Sequence, residues 1–298
     1  MSRLAASPIG CVPIVWNNAD LPDLAPTVPY EEILDDLARL GYAGCQFGRG
    51  FPEEIRLAPE LARRNLRMAE RYWTLPADAD GLLGDPDELL RHGLAHLLSI
   101  GGEVLVVALD GGADRDEWAG RLADGGPRWP DAAFDRLAGL LRTVAEEAPE
   151  QVTVAFHPHA ATWIEAPDEV DAIASRLSGR ARLCLDVGHY TVGGGDPVEA
   201  IERHGALIGH VHVKDVDGDV LRRLRTREVS GFEASVRERI FTELGNGILD
   251  LAGVLHALDG IGYSGWLMVE QDSSWLQPSE AAAVGGRVLR YALREMDR

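Results

Sequence analysis

Several features are scarce or missing in this 298-residue sequence, and each absence excludes a class of structure or function. No run reaches the roughly 18 apolar residues of a membrane span, and the N-terminus lacks the apolar stretch of a signal peptide. Basic residues are also few, because 29 Lys and Arg stand against 48 Asp and Glu, a net charge of −19. A net negative charge of this size repels the phosphate backbone of nucleic acids and acidic membrane surfaces. We therefore expect a cytoplasmic protein with neither a nucleic-acid partner nor a membrane partner.

Cysteine is rare and scattered. The three residues are odd in number, widely spaced and placed within apolar runs: Cys11, Cys45 and Cys184. This usage predicts buried, reduced thiols rather than a disulfide framework or a thiolate metal site.

A glycine-rich phosphate-binding loop is missing after the first predicted strand, where WNNADLP follows instead. An open doubly wound sheet usually carries such a loop. The chain alternates short apolar runs with amphipathic stretches, giving eight strand-then-helix units of about 30 residues each. We therefore predict an α/β fold, a (β/α)8 TIM barrel built as a single domain from residues 1–298. In a barrel of this kind the active site lies at the carboxyl ends of the strands.

The sequence predicts the bounds of individual elements. Two of the predicted helices begin near Pro167 and Pro197, where proline fits the first helical turn. Helices are also predicted at Pro86–Ser99, Pro278–Met296 and Glu53–Ala69, and strands at Ile9–Trp16 and Arg71–Leu75.

Two long loops are predicted at residues 111–129 and 215–245, and the second contains the basic segment RRLRTREVS. Its arginines either face solvent or form a lid that closes over an anionic or hydroxyl-rich substrate.

Ionisable residues end several of the predicted strands. Five of the nine histidines lie at the exits of three strands between residues 152 and 215: His157, His159, His189, His210 and His212. Asp186 ends LCLD and Glu270 ends WLMVE. A carboxylate after a buried strand must be paired or metal-bound, because burying an isolated charge is prohibitive. Two carboxylates and an imidazole suit a divalent ion such as Mn²⁺, Co²⁺, Zn²⁺, Fe²⁺ or Mg²⁺, although each alone also fits a helix cap or a salt bridge.

The segments HPHAATWIE, LDVGH, HVHVKD, GNGILD and GWLMVE, with PIVWNNADLP and GCQFGRGFP, resemble the xylose isomerase-like barrel superfamily. Within it they are most similar to the inosose (2-keto-myo-inositol) dehydratases, from about Ile9 to Asp272. The resemblance implies a metal-dependent barrel enzyme acting on a sugar or cyclitol. Three of the usual four metal ligands map onto Asp186, His212 and Glu270. The fourth is a Glu in many epimerases of this fold; here His157 stands in its place, and Glu165 is the alternative.

The resemblance also suggests catalytic and substrate-binding roles. A metal bound to the substrate carbonyl and hydroxyl would lower the cost of an enediolate. His159 or His189 would then remove the α-proton, and Lys214 would protonate the departing hydroxyl or the oxyanion. His159 could instead be a ligand or a structural residue, and Lys214 could be paired with a carboxylate. Substrate contacts are predicted for Trp16, Asn18 and Glu165, with Trp16 packing under a loop as the alternative.

We thus expect a metal-dependent lyase or isomerase on a keto-sugar or keto-cyclitol, similar to inosose dehydratase, with a small polyol or keto-sugar as its partner. The alternatives are an epimerase or isomerase of the ketohexose 3-epimerase or hydroxypyruvate isomerase type, and a catalytically silent sugar-binding barrel subunit. The sequence departs from the dehydratases at Gln46-Phe47-Gly48, where those proteins resemble E-V-G, and at VVALDGG. Both stretches would line the pocket, so the sequence leaves the identity of the substrate open. A homo-oligomer is possible, but the sequence does not decide the oligomeric state.

Overall fold

The computed structural model of the protein describes residues 3–52 and 54–296. Eight parallel strands close into a barrel in which each strand pairs with the next along the chain and the last pairs with the first. The barrel strands are β1 (Ile9–Cys11), β2 (Gly44–Gln46), β3 (Arg67–Leu75), β4 (Val104–Leu109), β5 (Thr153–Phe156), β6 (Ala181–Asp186), β7 (Ile208–Val213) and β8 (Leu267–Val269). The predicted (β/α)8 TIM barrel is therefore confirmed.

Helices follow the strands and cover the outside of the barrel. They are α1 (Tyr30–Arg39), α2 (Glu54–Ala62), α3 (Pro86–Ser99), α4 (Ala113–Asp116), α5 (Asp131–Glu147), α6 (Pro167–Ala174), α7 (Val187–Val192), α8 (Pro197–His204), α9 (Gly218–Arg225), α10 (Phe232–Arg237), α11 (Leu251–Gly260) and α12 (Pro278–Met296). Helices α3, α6 and α8 begin at proline, whose missing N–H is not needed in a first turn. Across the described chain, no helix is long and apolar enough to cross a bilayer.

Three predicted elements have boundaries that differ clearly from the structure. The first strand stops at Cys11, and Pro13–Val15 forms a 3-10 turn, because proline has no N–H for the ladder. The predicted helix Glu53–Ala69 ends at Ala62, and its first residue lies outside the described part of the chain. Strand β3 already begins at Arg67, so Glu70 belongs to the barrel rather than to the loop before it.

The core has two layers, as strand alternation requires. Outward-facing strand residues pack against the helices in the largest apolar cluster. A smaller cluster fills the barrel interior: Val12, Val104, Val106, Ala155, Cys184 and Met268. The barrel is therefore a packed core and not a pore. All three cysteines are buried and unbonded to one another, as expected for buried thiols outside a disulfide framework. Cys184 lies within 4.8 Å of ligand atoms of His157 and His212.

The long segment after β7 covers the carboxyl end of the barrel in part. Two of its arginines pair with surface carboxylates, Arg222 with Glu228 and Arg223 with Glu238. Arg225 donates to the carbonyls of Gly120 and Thr191. Phe232 of α10, and not the basic segment, reaches the cavity described below. The basic segment is thus a solvated surface stretch, which favours the first of its two interpretations.

Candidate metal centre and active site

Four predicted ligands lie at the carboxyl ends of neighbouring barrel strands. His157 directly follows β5, Asp186 ends β6, His212 lies on β7 and Glu270 directly follows β8. Register pairs Asp186 with His212 across β6 and β7. These strands lie side by side in the closed sheet. Positions far apart in the sequence therefore meet at one end of the barrel.

The side chains of Asp186, His212 and Glu270 converge on one point. His212 Nδ1 lies 2.7 Å from Glu270 Oε2 and 3.7 Å from Asp186 Oδ2. One ligand atom from each residue lies within 4.8 Å of the other two. The structure thus brings together the three residues that the sequence singled out.

These facing atoms are buried and have no hydrogen-bond partner: Asp186 Oδ2, His212 Nδ1 and Glu270 Oε2. The 2.7 Å approach of His212 Nδ1 to Glu270 Oε2 is therefore an ion-pair distance without a hydrogen bond. Unpartnered buried acceptors are costly unless something satisfies them. Two carboxylate oxygens and an imidazole nitrogen, all aimed at a common point, form a donor set that divalent cations accept. The three side chains therefore fit a divalent cation.

The two candidates for a fourth ligand differ in their position. His157 Nε2 lies 3.7 Å from Asp186 Oδ2, beside the three converging atoms but outside their 4.8 Å group. Glu165 lies elsewhere, because its two oxygens accept hydrogen bonds from Gly120 N at 2.7 Å and Ala161 N at 2.6 Å. Burial raises the pKa of Glu165 to about 7. Glu165 is not in the group of converging atoms and does not line the two cavities, which favours His157 as the fourth ligand and gives no support to a substrate contact at Glu165.

Lys214 is the only lysine in the sequence, and it is fully buried. Its Nζ lies 3.0 Å from Glu270 Oε1, 2.9 Å from Asp272 Oδ2 and 3.4 Å from Asp186 Oδ2. Burial alone would lower the pKa of Lys214, but these carboxylates hold that pKa well above its usual value. Lys214 is thus the paired cation of the second interpretation, and it does not line the cavities itself.

Two adjoining cavities of about 610 and 280 Å³ open at this end of the barrel. Four residues line both: Asp20, Tyr72, His159 and Asp272. The smaller cavity also reaches His157 and Glu270. A substrate in these cavities therefore lies against the proposed metal ligands and against His159.

His159 and His189 stack with ring centroids 3.7 Å apart, but their surroundings differ. His159 Nδ1 lies 2.7 Å from Ala160 O; since a carbonyl only accepts, Nδ1 carries the proton and Nε2 has the lone pair. Burial lowers the pKa of His159 to about 3, so the ring is neutral near pH 7. His189 is 2% exposed and contacts Lys214 Nζ at 3.0 Å. The structure therefore does not support His189 as the base, because α7 turns it away from the cavities.

Trp16 and Asn18 were both predicted to touch the substrate. Trp16 is 3% exposed, packs in the outer core and donates its indole N–H to Asp36 at 3.3 Å. It does not line the two cavities, which favours packing under a loop. Asn18 lines the larger cavity, where its Oδ1 accepts from Leu21 N and its Nδ2 donates to Asp272 O at 2.8 Å. Asn18 therefore holds the rim in place.

Three residues of the site were missed from the sequence. Glu70 lies inside the barrel against His210 and His212, and the predicted helix through Ala69 concealed it. Asp272 follows Glu270 by two residues, and the two-residue period of a strand could have placed both on one side. Tyr72 follows Glu70 in the same way and lines both cavities.

Comparisons with known proteins agree with this architecture. A family model described as Xylose isomerase-like TIM barrel matches residues 89–292. The chain is 35% identical over 293 residues to Rhizopine catabolism protein MocC of Rhizobium meliloti, covering 95% of this chain and 88% of that protein. It is 29% identical over 287 residues to the Inosose dehydratase of Geobacillus thermodenitrificans (strain NG80-2), covering 95% and 96%. The solved structure of IOLI protein with a binding zinc atom matches with a TM-score of 0.69 at 14% identity, over 97% and 98%.

Proposed function

This chain belongs to the xylose isomerase-like TIM barrel family, and from that premise we propose that it is a divalent-metal-dependent dehydratase acting on a keto-cyclitol or a related keto-sugar. Its inosose dehydratase relatives match over nearly their full length. The zinc atom in the IOLI protein, which has the same fold, supports a divalent ion in this one. The chemistry of the site must supply the rest of the argument.

One observation carries the proposal. Three buried acceptor atoms on Asp186, His212 and Glu270, none of which has a hydrogen bond, face one another beside a cavity that also holds His159. A purely structural cluster would satisfy these atoms with hydrogen bonds. We assign the three residues as metal ligands and His157, which faces Asp186, as the fourth.

A divalent ion held there would polarise the substrate carbonyl and make the neighbouring C–H bond more acidic. His159 then serves as the base, because its Nε2 has a free lone pair while Nδ1 donates to Ala160 O. The α-proton moves to His159 Nε2, the β-hydroxyl departs with a proton as water, and a double bond forms between the two carbons. A positioned base of this kind contributes roughly 10²- to 10⁴-fold.

The proton for the departing hydroxyl comes from the pair formed by Lys214 and Asp272. Lys214 is buried, but Asp272 Oδ2 lies 2.9 Å from its Nζ and lines both cavities. Lys214 therefore acts on the substrate through Asp272 and not by direct contact. This assignment replaces the direct proton donation that the sequence suggested.

The cavity lining supports a polar, uncharged or weakly charged ring as substrate. The larger cavity of about 610 Å³ combines Tyr72, Thr74 and Asp110 with the apolar Leu109 and Phe232. Gln46, one of the departures from the dehydratase pattern, lines the smaller cavity. Leu109 and Asp110 belong to the other departure, VVALDGG. A substrate other than inosose would differ from it in the groups that contact these two stretches.

The test is to purify the protein without chelator, measure bound metals, and incubate it with 2-keto-myo-inositol or with ketohexoses in Mn²⁺ or Co²⁺. Dehydration produces a conjugated enone or dione, so ultraviolet absorbance should rise with turnover. An epimerised product without that absorbance would favour the epimerase alternative. Protein that binds no divalent ion and leaves every substrate unchanged would support a silent sugar-binding subunit instead.

A further inference from the structure

Glu70 lies on the far side of the barrel from the histidines it contacts. It is on β3, whereas His210 and His212 are on β7, and its side chain is fully buried. Its Oε2 atom contacts Nε2 of both histidines, at 3.0 Å from His212. A carboxylate at this depth needs such partners, because an isolated charge could not stay buried.

The contact fixes where the proton of His212 lies. An ionised carboxylate only accepts hydrogen bonds, so Nε2 of His212 must donate to Glu70. A histidine that binds a metal is the neutral imidazole. It has one N–H, so donation from Nε2 to Glu70 leaves the lone pair on Nδ1. Nδ1 is the atom that faces Glu270 Oε2 and Asp186 Oδ2 without a hydrogen bond.

We propose that Glu70 is a positioning residue, which acts through His212 by orienting the ring and directing the Nδ1 lone pair toward the metal. The role rests on the proposed function, since it needs His212 to be a ligand. Carboxylates that hold a ligating histidine through its second nitrogen keep the ring fixed and make it a better donor. Losing such a partner typically lowers metal affinity by about 10- to 100-fold.

A second contact of Glu70 supplies the matched control. His210 shares the same Glu70 oxygen, but it is not part of the Asp186, His212 and Glu270 group. If Glu70 only satisfies buried histidines, then removing either of its contacts should have similar consequences. If it acts through His212, only changes at Glu70 should weaken metal binding.

The experiment measures the dissociation constant for Zn²⁺ by competition with a chromophoric chelator in the wild type and in Glu70→Ala, Glu70→Gln and His210→Gln. Glu70→Ala should bind about 100-fold more weakly. Glu70→Gln should recover part of that loss, because its amide oxygen still accepts from Nε2 but carries no charge. His210→Gln should stay within a few-fold of the wild type.

The second measurement is independent of affinity. In Zn²⁺-loaded protein labelled with ¹⁵N-histidine, His212 should show a proton on Nε2 that exchanges slowly with solvent, and Glu70→Ala should lose that protection. Circular dichroism and thermal melting show which variants are folded. If Glu70→Ala does not fold, the comparison is made with Glu70→Gln.

Unchanged Zn²⁺ affinity in folded Glu70 variants would overturn this role while leaving the proposed function standing. An equal loss in His210→Gln would also overturn it, since the effect would then be structural. A wild type that binds no divalent ion would remove the proposed function and this inference together.

Discussion

The guanidinium of Arg115 and the carboxylate of Glu169 form a buried bidentate pair, with N–O distances of 2.9 and 2.8 Å. Arg115 is fully buried and Glu169 is 4% exposed. The pair ties α4, which stands in the loop beside the larger cavity, to α6. Glu169 also accepts hydrogen bonds from the backbone N–H groups of Glu165 and Ala166. One wall of the cavity is thus held by a buried charge pair.

Arg115→Met should lower the free energy of unfolding by about 3 kcal/mol, because it leaves a buried carboxylate without its main partner. The value is at the low end of the usual range, since Arg128 still contacts Glu169 at 3.0 Å. The matched control is Arg91→Met, which removes an exposed bidentate pair with Glu147 and should cost less than about 1 kcal/mol. Denaturant titration compares the two. Equal losses would mean that burial of the Arg115 pair has no special consequence.

His159→Ala should reduce turnover by roughly 10²- to 10⁴-fold and leave the bound metal in place, because the variant removes the base but no ligand. Steady-state kinetics and elemental analysis on the same preparation check both parts. His256→Ala, at an exposed position on α11, should leave both unchanged. Loss of the metal in His159→Ala would show that His159 is a ligand instead.

Asp186→Asn and Glu270→Gln should each abolish tight binding of a divalent ion, since each replaces an anionic ligand with a neutral amide. Asn is chosen at position 186 because Asp186 also caps α7 by accepting from His189 N at 2.7 Å, a bond that Asn can keep. Elemental analysis after dialysis gives the metal content. Treatment with chelator should abolish the wild-type activity, and adding Mn²⁺, Co²⁺ or Zn²⁺ should restore it. Stoichiometric metal in both variants would contradict the proposed ligand set.

Glu165 should make stability fall as the pH rises from about 4.5 to 7. Burial raises the pKa of Glu165 from 4.5 to about 7, so in this window the folded state holds a proton that the unfolded state has lost. The folded state binds more protons, and the free energy of unfolding therefore decreases with increasing pH, by on the order of 3 kcal/mol in all.

Denaturant titrations across this range should show that slope in the wild type. In Glu165→Gln the slope should become shallower without vanishing, because burial also raises the pKa of Asp272 to about 7. The variant should also lose a constant amount of stability, because its amide nitrogen cannot accept the backbone N–H that the second oxygen accepted. Glu150→Gln, at an exposed position, should keep the wild-type slope. A slope in Glu165→Gln that equals the wild-type slope would assign the pH dependence to other groups.

Much of the fold could be predicted because its signals are local. Pro167 and Pro197 mark helix starts, as the structure shows, and the predicted helices Pro86–Ser99 and Pro278–Met296 also agree with it. Predictions failed where local signals conflict. Residues 63–69 look helical by composition, but Asn65 adopts a left-handed conformation (φ 55°) just before β3 begins at Arg67. That conformation ends the helical path, and pairing with β2 and β4 then decides the strand.

The sequence by itself determined which ionisable residues end the strands, because a buried strand is apolar and polar residues begin where it reaches solvent or a site. Asp186, His212 and Glu270 were identified in this way. Only the tertiary structure decided which other groups surround them, since contact across a barrel depends on closure and on how each loop folds back. Closure of the barrel places Glu70 in contact with His212, 142 positions away in the sequence. The segments after the strands place His189, Glu165 and Trp16 outside the lining of the two cavities.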